Sequence, residues 1–230
     1  MTLKVSDIFY SLQGEGRYTG VPSILLRTCD SPDSDVCETE TIDKIANDIM
    51  QLLPNTEWKD VHLVITGSEP LLPRLQEDYI KLLEHELLRP LRHVTIETHG
   101  NIPICAALVE YIDTSRTKEI TFSISPKLSS SGESREVAIR PDVVKQYQTL
   151  GYSYIKFVID KEDDVHEALE TLTTFRDGGF FGSVYLVPDV YSQDKIHVKT
   201  AALRHGLRYS DRFELQHGLQ YIAKEFLRGD

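Results

Sequence analysis

The sequence has little of three features that would each have pointed to a different class of protein: cysteine, long apolar runs and positive charge. Its three cysteines are Cys29, Cys37 and Cys105. An odd count, with no basic and then apolar leader over residues 1–8, argues against a secreted disulfide scaffold. No apolar run approaches the roughly 18 residues of a membrane-spanning helix. The cytoplasm is therefore the expected compartment.

Acidic side chains outnumber basic ones. The chain has 25 Lys and Arg against 36 Asp and Glu, which gives a net charge of −11 and a pI near 5.2. General binding to nucleic acid or to an anionic membrane needs a cationic face, so neither partner is expected. A small basic pocket is still compatible with this balance. The length of 230 residues, with 40% hydrophobic composition, suggests one domain over residues 1–230.

Short apolar runs alternate with amphipathic stretches along the chain. Predicted strands are Val61–Ile65, Val94–Glu97, Ile120–Ile124, Tyr154–Ile159 and Val184–Val187. Predicted helices are Ile42–Leu53 (capped by Thr41), Tyr79–Leu88, Ile104–Tyr111, Asp142–Leu150 (opened by Pro141 and closed by Gly151), Asp163–Arg176 and Lys195–His205. This alternation predicts an α/β fold with a mostly parallel sheet of about six strands, either a partial barrel or a doubly wound sheet. The acidic stretch Arg27–Thr41 has no hydrophobic period and is expected to be a surface loop.

Polar or small residues follow several of the predicted strands. Thr66-Gly67-Ser68-Glu69-Pro70, Thr98-His99-Gly100-Asn101 and Ser125-Pro126-Lys127 each stand directly after an apolar run. In parallel α/β folds ligands bind at the carboxyl ends of the strands. The sequence therefore predicts a site assembled from several of these loops.

The glycine-rich opening Ile8–Pro22, IFYSLQGEGRYTGVP, is the most specific string in the chain. It could bring the backbone close to a flat ligand, or it could be a turn that needs glycine for its backbone conformation. It is not a dinucleotide-binding fingerprint, because no helix-opening G-x-G-x-x-G follows a strand.

Several motifs together resemble the 7-carboxy-7-deazaguanine synthases, a radical S-adenosylmethionine family. SLQGEGRYTGVPS and LLR are followed in the family's order by TGSEPLL, IETHGN, SPKLS, YIKFVID, YLVP and HGLRYSDR. A single short motif such as SPK would be weak, but the ordered series extends over most of the chain. The resemblance implies a partial, mostly parallel radical-SAM-type barrel.

The resemblance also implies a reaction and its cofactors. Family members rearrange 6-carboxy-5,6,7,8-tetrahydropterin to 7-carboxy-7-deazaguanine with loss of ammonia, a step toward queuosine and related deazapurines. They use S-adenosylmethionine, Mg²⁺ and a [4Fe-4S] cluster on three cysteines, which leaves one iron open for the cofactor. A homodimer and an electron donor such as flavodoxin are the implied partners.

Site residues follow from the same resemblance, position by position. Leu12, Gln13, Gly14, Arg27 and Thr66 match substrate-binding positions, and the fork of Arg27 would suit the substrate carboxylate. Ser68, Glu69, Ser125, Pro126 and Lys127 match cofactor-binding positions, with Ser68 where the family has glycine. The resemblance identifies no catalytic residue. Without it, Arg27 and Glu69 would be interpreted as members of ion pairs.

The cluster motif departs from the family's C-x3-C-x2-C. In one alignment Cys37-Glu38-Thr39 replaces Cys-Asp-Thr, with Thr39 as the Mg²⁺ ligand and the middle cysteine missing. In the other, which we prefer because a helix starts directly after Thr41, Cys29-Asp30-Ser31 follows the position of an absent cluster loop. Either way, Cys29 and Cys37 are the two candidate cluster ligands. Cys105 is expected to be a buried small residue.

Two functions are therefore compatible with the sequence. The first is a working synthase of this family, and the second is a cluster-less relative that binds a pterin or has a regulatory role. A plain structural domain would leave the ordered motifs unexplained.

Overall fold

A computed structural model describes residues 2–29, 37–115, 117–189 and 195–211. These residues form a single sheet of nine strands with the order β3-β1-β2-β4-β5-β6-β7-β8-β9. The strands are β1 (Thr2–Leu12), β2 (Pro22–Thr28), β3 (Glu38–Thr41), β4 (His62–Gly67), β5 (His93–Thr98), β6 (Glu119–Ile124), β7 (Tyr152–Ile159), β8 (Ser183–Pro188) and β9 (Arg208–Tyr209).

The sheet is mostly parallel, which confirms the predicted fold class. Every neighbouring pair from β2 to β9 is parallel, and only β1 runs antiparallel to its neighbours β2 and β3. Nine strands are present in the described residues rather than about six. The added strands are the hairpin β1–β2, which flanks the glycine-rich segment, and the short edge strands β3 and β9.

The prediction of a surface loop over Arg27–Thr41 was wrong at both ends. Arg27 and Thr28 complete β2, and Glu38–Thr41 forms β3. The side chains of β3 are mostly exposed, so this strand has no apolar period, and its backbone pairing with β1 determines its conformation instead. Residues 30–36 lie outside the described residues.

The predicted helices are present with shifted ends. They are α1 (Ile42–Leu52), α2 (Pro73–Glu84), α3 (Ala106–Thr114), α5 (Pro141–Leu150), α6 (Glu162–Asp177) and α7 (Lys195–Arg204), and a short α4 (Arg135–Ala138) was not predicted. The hydroxyl of Thr41 accepts from the N–H of Lys44 at 3.2 Å and caps α1 as expected. No helix in the described ranges is long and apolar enough to cross a membrane.

Strand periodicity divides the sheet into two faces. One face packs against helix residues in the main core and carries Ile24, Leu26, Leu63, Ile65, Val94, Ile96, Phe122, Ile124, Ile155 and Phe157. The alternate residues point to the other side, where Phe9, Leu25 and Val64 form one small cluster and Tyr154, Tyr185 and Val187 form another. This second face, which we call the inner face, carries the polar side chains described next.

Candidate active site

A buried lysine lies at the centre of the inner face. The ammonium of Lys156 in β7 donates to Glu15 at 2.6 Å and to Glu97 at 3.1 Å, and its side chain is 3% exposed. Burial by itself lowers the pKa of Lys156, but the two carboxylates outweigh it and raise the pKa above its usual value. Lys156 is therefore a fixed cation held between two carboxylates.

Hydrogen bonds extend this cluster to the neighbouring strands. The hydroxyl of Thr66 in β4 donates to the second oxygen of Glu97 at 2.9 Å. Beside Lys156, burial raises the pKa of Tyr154 to about 12, so this phenol is a neutral donor at physiological pH. Lys156, Glu15, Glu97 and Thr66 are called the Lys156 cluster below.

A cavity of about 360 Å³ opens beside the Lys156 cluster. Its volume is within the range of small-molecule sites, about 300–1,000 Å³. Its wall combines the cluster with the carboxyl ends of β4 to β8: Glu15, Thr66, Gly67, Glu97, Thr98, His99, Ser125, Pro126, Lys127, Leu128, Ser130, Ser131, Lys156, Val158, Asp160, Asp164 and Asp189. This agrees with the predicted place of the site, at the ends of parallel strands.

Glu15 reaches the cavity from a turn that starts at the amino ends of the parallel strands, opposite the strand ends that form the rest of the wall. It lies in the glycine-rich segment between β1 and β2, which is closed by hydrogen bonds from the N–H of Gln13 to Val21 O and from the N–H of Gly20 to Gln13 O, both at 2.9 Å. The hydroxyl of Tyr18 lies 3.3 Å from that of Thr121 in β6, so the segment extends beneath the inner face.

Gly16 lets this segment lie close to the sheet. Its φ is +81°, and an added Cβ would lie 2.7 Å from the ring of Tyr154. A side chain here would meet both a strained backbone and an aromatic ring. The structure shows a glycine-dependent turn, and that turn holds Glu15 against Lys156, while contact of this segment with a flat ligand stays a prediction.

The predicted substrate residues do not all lie together. Leu12 is the last residue of β1, and Gln13 and Gly14 follow it. This end of β1 lies away from the cavity mouth because β1 is antiparallel to β2. Leu12 is 37% exposed, whereas Gln13 is buried with its Oε1 unpaired within the described part of the chain. These residues directly precede Glu15 of the Lys156 cluster in the chain, and they are not among those that line the cavity.

Arg27 and Thr66 are brought together on the inner face. They are partners in the parallel pairing of β2 and β4. Arg27 is two residues after Leu25, and Thr66 is two residues after Val64, so each lies on the same face as its partner. Leu25 and Val64 pack together with Phe9 on that face. The guanidinium of Arg27 lies 5.0 Å from the ring centroid of Phe9, on the same face. The apolar cluster of Phe9, Leu25 and Val64 therefore lies next to the guanidinium of Arg27.

The predicted cofactor residues divide into two groups. Ser125, Pro126 and Lys127 line the cavity as expected for a binding segment. Ser68 is exposed, and it is the preceding Gly67 that cannot accept a side chain, since its Cβ would lie 2.0 Å from Thr28 O. The pairing of β2 with β4 therefore requires that glycine.

Glu69 is buried and already bound within the protein. Its carboxylate accepts from the hydroxyl of Thr98 at 2.8 Å and from the N–H groups of His99 at 2.8 Å and Leu71 at 3.0 Å. Burial raises its pKa, and these donors oppose that shift. In this structure Glu69 joins the end of β4 to the end of β5, and both Thr98 and His99 line the cavity.

The candidate metal ligands do not form a metal site. Cys29 and Cys37 are joined by a disulfide, and Thr39 is exposed in β3, the outermost strand beside β1. Cys105 is half-buried rather than fully buried as expected, and it precedes α3, where its N–H donates to Gln76. No group of three His, Cys, Asp or Glu side chains able to hold a metal is found within the described ranges.

Sequence reasoning assigned no role to Glu15, Glu97 or Lys156. One signal was present, since the lysine of YIKFVI stands in an otherwise apolar strand, where burial requires a partner. Its two partners come from a turn and a different strand, so nothing in the local sequence identified them.

Comparison with known proteins determines the family. The chain is 32% identical over 243 residues to the 7-carboxy-7-deazaguanine synthase of Halobacterium salinarum, covering 93% of this chain and 89% of that protein. The chain belongs to the 7-carboxy-7-deazaguanine synthase family. The synthase of Rhodopirellula baltica is 28% identical, over 94% of this chain and 86% of that protein. No family model matches the sequence.

A solved structure has a similar fold. The crystal structure of QueE from Escherichia coli superposes with a TM-score of 0.60 at 20% identity, covering 93% of this chain and 95% of that one. At that identity the likeness concerns the fold alone. The resemblance inferred from the motifs is thus confirmed, both in family and in architecture.

Proposed function

We propose that the cavity binds 6-carboxy-5,6,7,8-tetrahydropterin, as the substrate of the reaction for which the relatives are named, formation of 7-carboxy-7-deazaguanine. The carrying observation is the placement of Arg27 and the Lys156 cluster on one face of the sheet, where Thr66 of the cluster is the strand partner of Arg27. A carboxylated pterin has one anionic end and one flat end with ring N–H and carbonyl groups. The two polar regions fit these two ends.

The flat end would lie against the Lys156 cluster. Carboxylates accept hydrogen bonds from ring N–H and amino groups, and an ammonium donates to a ring carbonyl. Glu97 and Glu15 offer the first kind of contact and Lys156 the second. Since this cluster is buried and internally paired, its geometry is formed before the ligand arrives, which reduces the entropic cost of binding.

The carboxylate would lie at Arg27. Adjacent strands lie roughly 4.8 Å apart, so Arg27 is one strand from the cavity wall at Thr66. A guanidinium can bind a carboxylate through two parallel hydrogen bonds, which an ammonium cannot reproduce. Phe9, stacked against Arg27, limits the directions available to the guanidinium.

S-adenosylmethionine is the cofactor implied by the family, and the remaining wall of the cavity has a suitable donor set. Lys127 can pair with its carboxylate, and the hydroxyls of Ser125, Ser130 and Ser131 can bind polar groups of its amino-acid and ribose parts. When bound, this cofactor supplies the 5′-deoxyadenosyl group from which the family generates its radical. In this chain Ser125–Lys127 would bind and orient it.

The [4Fe-4S] cluster implied by the family does not fit the cysteines of this structure. Three thiolates are needed, and Cys29 and Cys37 are bonded to one another. No reaction step is therefore assigned to a cluster, and the role proposed for this chain's own residues is substrate and cofactor binding. The Mg²⁺ ligand Thr39 and the flavodoxin-type donor, which accompany the cluster in the family, stay predictions.

The experiment compares two ligands by calorimetric titration: 6-carboxypterin, and pterin without the carboxylate. We expect the wild-type chain to bind 6-carboxypterin more tightly, and Arg27→Ala to remove that difference while leaving the affinity for pterin unchanged. Arg204→Ala, at an exposed position at the end of α7, is the matched control and should bind both ligands as the wild type does. Equal affinities of the wild type for the two ligands would contradict the proposal.

A homodimer is also proposed, on family membership alone. Light scattering should give twice the chain mass of 26.2 kDa at micromolar concentration. A mass equal to one chain would exclude the dimer without affecting the pterin site.

A further inference from the structure

A disulfide lies where the family resemblance places the cluster-binding segment. Cys29 directly follows β2 and is 7% exposed, and Cys37 directly precedes β3. Their Cα atoms are 6.4 Å apart, and their positions are separated by eight in the sequence.

The two cysteines lie on either side of β1. Val5 of β1 is paired with Thr28 on one side and with Glu38 on the other, so Cys29 follows β2 and Cys37 precedes β3, with β1 as the intervening strand. The N–H of Cys29 donates to Lys4 O at 3.1 Å. The Cys29–Cys37 bond therefore connects the end of β2 to the start of β3 across β1.

A third thiolate is missing from this place. The chain has one further cysteine, Cys105. It stands at the start of α3, and its N–H is bound to Gln76 of α2, on the helix-covered side. β4 intervenes between β2 and β5, the strand from which the chain leads to α3. A site-differentiated [4Fe-4S] cluster needs three thiolates around one cube, and this arrangement offers two.

We infer that Cys29 and Cys37 form a reversible disulfide in place of the family's cluster-binding cysteines, and that this chain binds its pterin without a [4Fe-4S] cluster. The identity of the ligand rests on the proposed function, whereas the cysteine chemistry does not. The reductive step of the family reaction is then not carried out by this chain alone.

The redox step is a thiol–disulfide exchange with a dithiol reductant. Attack of a reductant thiolate breaks the Cys29–Cys37 bond and forms a mixed disulfide. The second reductant thiol then closes a cyclic disulfide on the reductant. Two electrons and two protons pass to the pair, leaving two cysteine thiols. A disulfide oxidant reverses the exchange and restores the Cys29–Cys37 bond.

Thiol titration of the denatured chain tests the disulfide. Without reductant, the wild type should show one thiol, that of Cys105, and Cys105→Ser should show none. After dithiol treatment these counts should rise to three and two, and oxidised glutathione added to the folded protein should restore the first values. Three thiols in wild type isolated without reductant, or failure to reclose, would overturn the inference.

Iron measurement tests the absence of the cluster. Fully reduced wild type is incubated anaerobically with ferrous iron and sulfide and then desalted. It should retain no more iron than Cys29→Ser/Cys37→Ser treated in the same way, with no cluster absorbance. About four irons per chain in the wild type, lost in the double variant, would overturn the inference.

Titration of the same samples with 6-carboxypterin separates the two proposals. Binding with no cluster supports both. No binding and no cluster overturns the proposed function and leaves the disulfide inference intact. Binding of 6-carboxypterin together with formation of a cluster overturns the disulfide inference and leaves the proposed function intact.

Discussion

Lys156 and Glu15 form an ion pair at 2.6 Å between a central parallel strand and a turn that enters from the far edge of the sheet. The two residues are 141 positions apart. Since Lys156 also binds Glu97, one buried cation connects the glycine-rich segment to β5 and β7. The shape of the cavity and the packing of the glycine-rich segment on the inner face therefore depend on the same two ion pairs.

Lys156→Met should destabilise the protein strongly. The methionine has a similar length, but it leaves Glu15 and Glu97 without their cation in a mostly buried site. Removing one partner of a buried pair typically costs about 3–5 kcal/mol. Urea denaturation should show this loss in the free energy of unfolding.

The matched control for this variant is Lys44→Met. Lys44 pairs with Glu40 and Asp48 at the surface, where water replaces the lost contacts. It should therefore have a much smaller effect. Equal destabilisation by the two variants would show that the buried ion pairs of Lys156 contribute no more to the free energy of unfolding than the surface pairs of Lys44.

Gly16→Ala should be worse than Gly20→Ala. Both glycines have a positive φ, +81° and +83°, so the backbone strain introduced is similar. Only at Gly16 would the new Cβ meet a neighbour, the ring of Tyr154, whereas nothing lies within 4 Å at Gly20. Overpacking usually costs about 1–3 kcal/mol, which is the expected difference between the two variants in free energy of unfolding. If both lose the same amount, Tyr154 does not restrict this turn.

Stability should fall on acidification through His62. Burial, and then the nearby His93, lower the pKa of His62 to about 4 from its ordinary value of 6.5. Between these two values the unfolded chain binds a proton that the folded chain does not. The free energy of unfolding therefore decreases as the pH falls from about 6.5 to about 4, and this contribution is constant below that range.

His62→Phe tests this contribution, because it keeps a ring against Tyr18 and His93 but cannot be protonated. Its stability should fall less than that of the wild type between about pH 7 and pH 5, measured by urea denaturation at each pH. His166→Gln, at an exposed position on α6, should follow the wild type. A His62→Phe profile parallel to that of the wild type would assign the acid sensitivity to other groups.

Much of the fold was predictable because the central strands and their helices carry clear periods. VHLVI is a nearly continuous apolar run, and ITFSI alternates apolar residues on the core face with Thr121 and Ser123 on the inner face. The edge strand Glu38–Thr41 was missed since its side chains are exposed and only its backbone is paired. Strand β1 was missed because its apolar residues precede a glycine-rich string that was considered as a ligand-binding segment.

The site was predictable only where it follows strand ends. Thr66 and Ser125–Lys127 do line the cavity, and Arg27 adjoins it, although their roles in binding stay predictions. Lys156 could not be recognised as the centre, because its partners Glu15 and Glu97 are distant in sequence and an isolated lysine in a strand has no unique interpretation. The disulfide could not be predicted either, since its cysteines adjoin two strands on either side of β1 and β3 was not predicted.

Titration of 6-carboxypterin against wild type, Arg27→Lys and Arg27→Ala tests the central claim most directly. Truncating one partner of a buried charge pair costs about 2–5 kcal/mol, so Arg27→Ala should lose binding free energy in that range. Arg27→Lys should recover only part of it, because an ammonium cannot form the paired contacts of the guanidinium. If wild type binds 6-carboxypterin no more tightly than Arg27→Ala, this chain has the fold of its family but not the proposed pterin site.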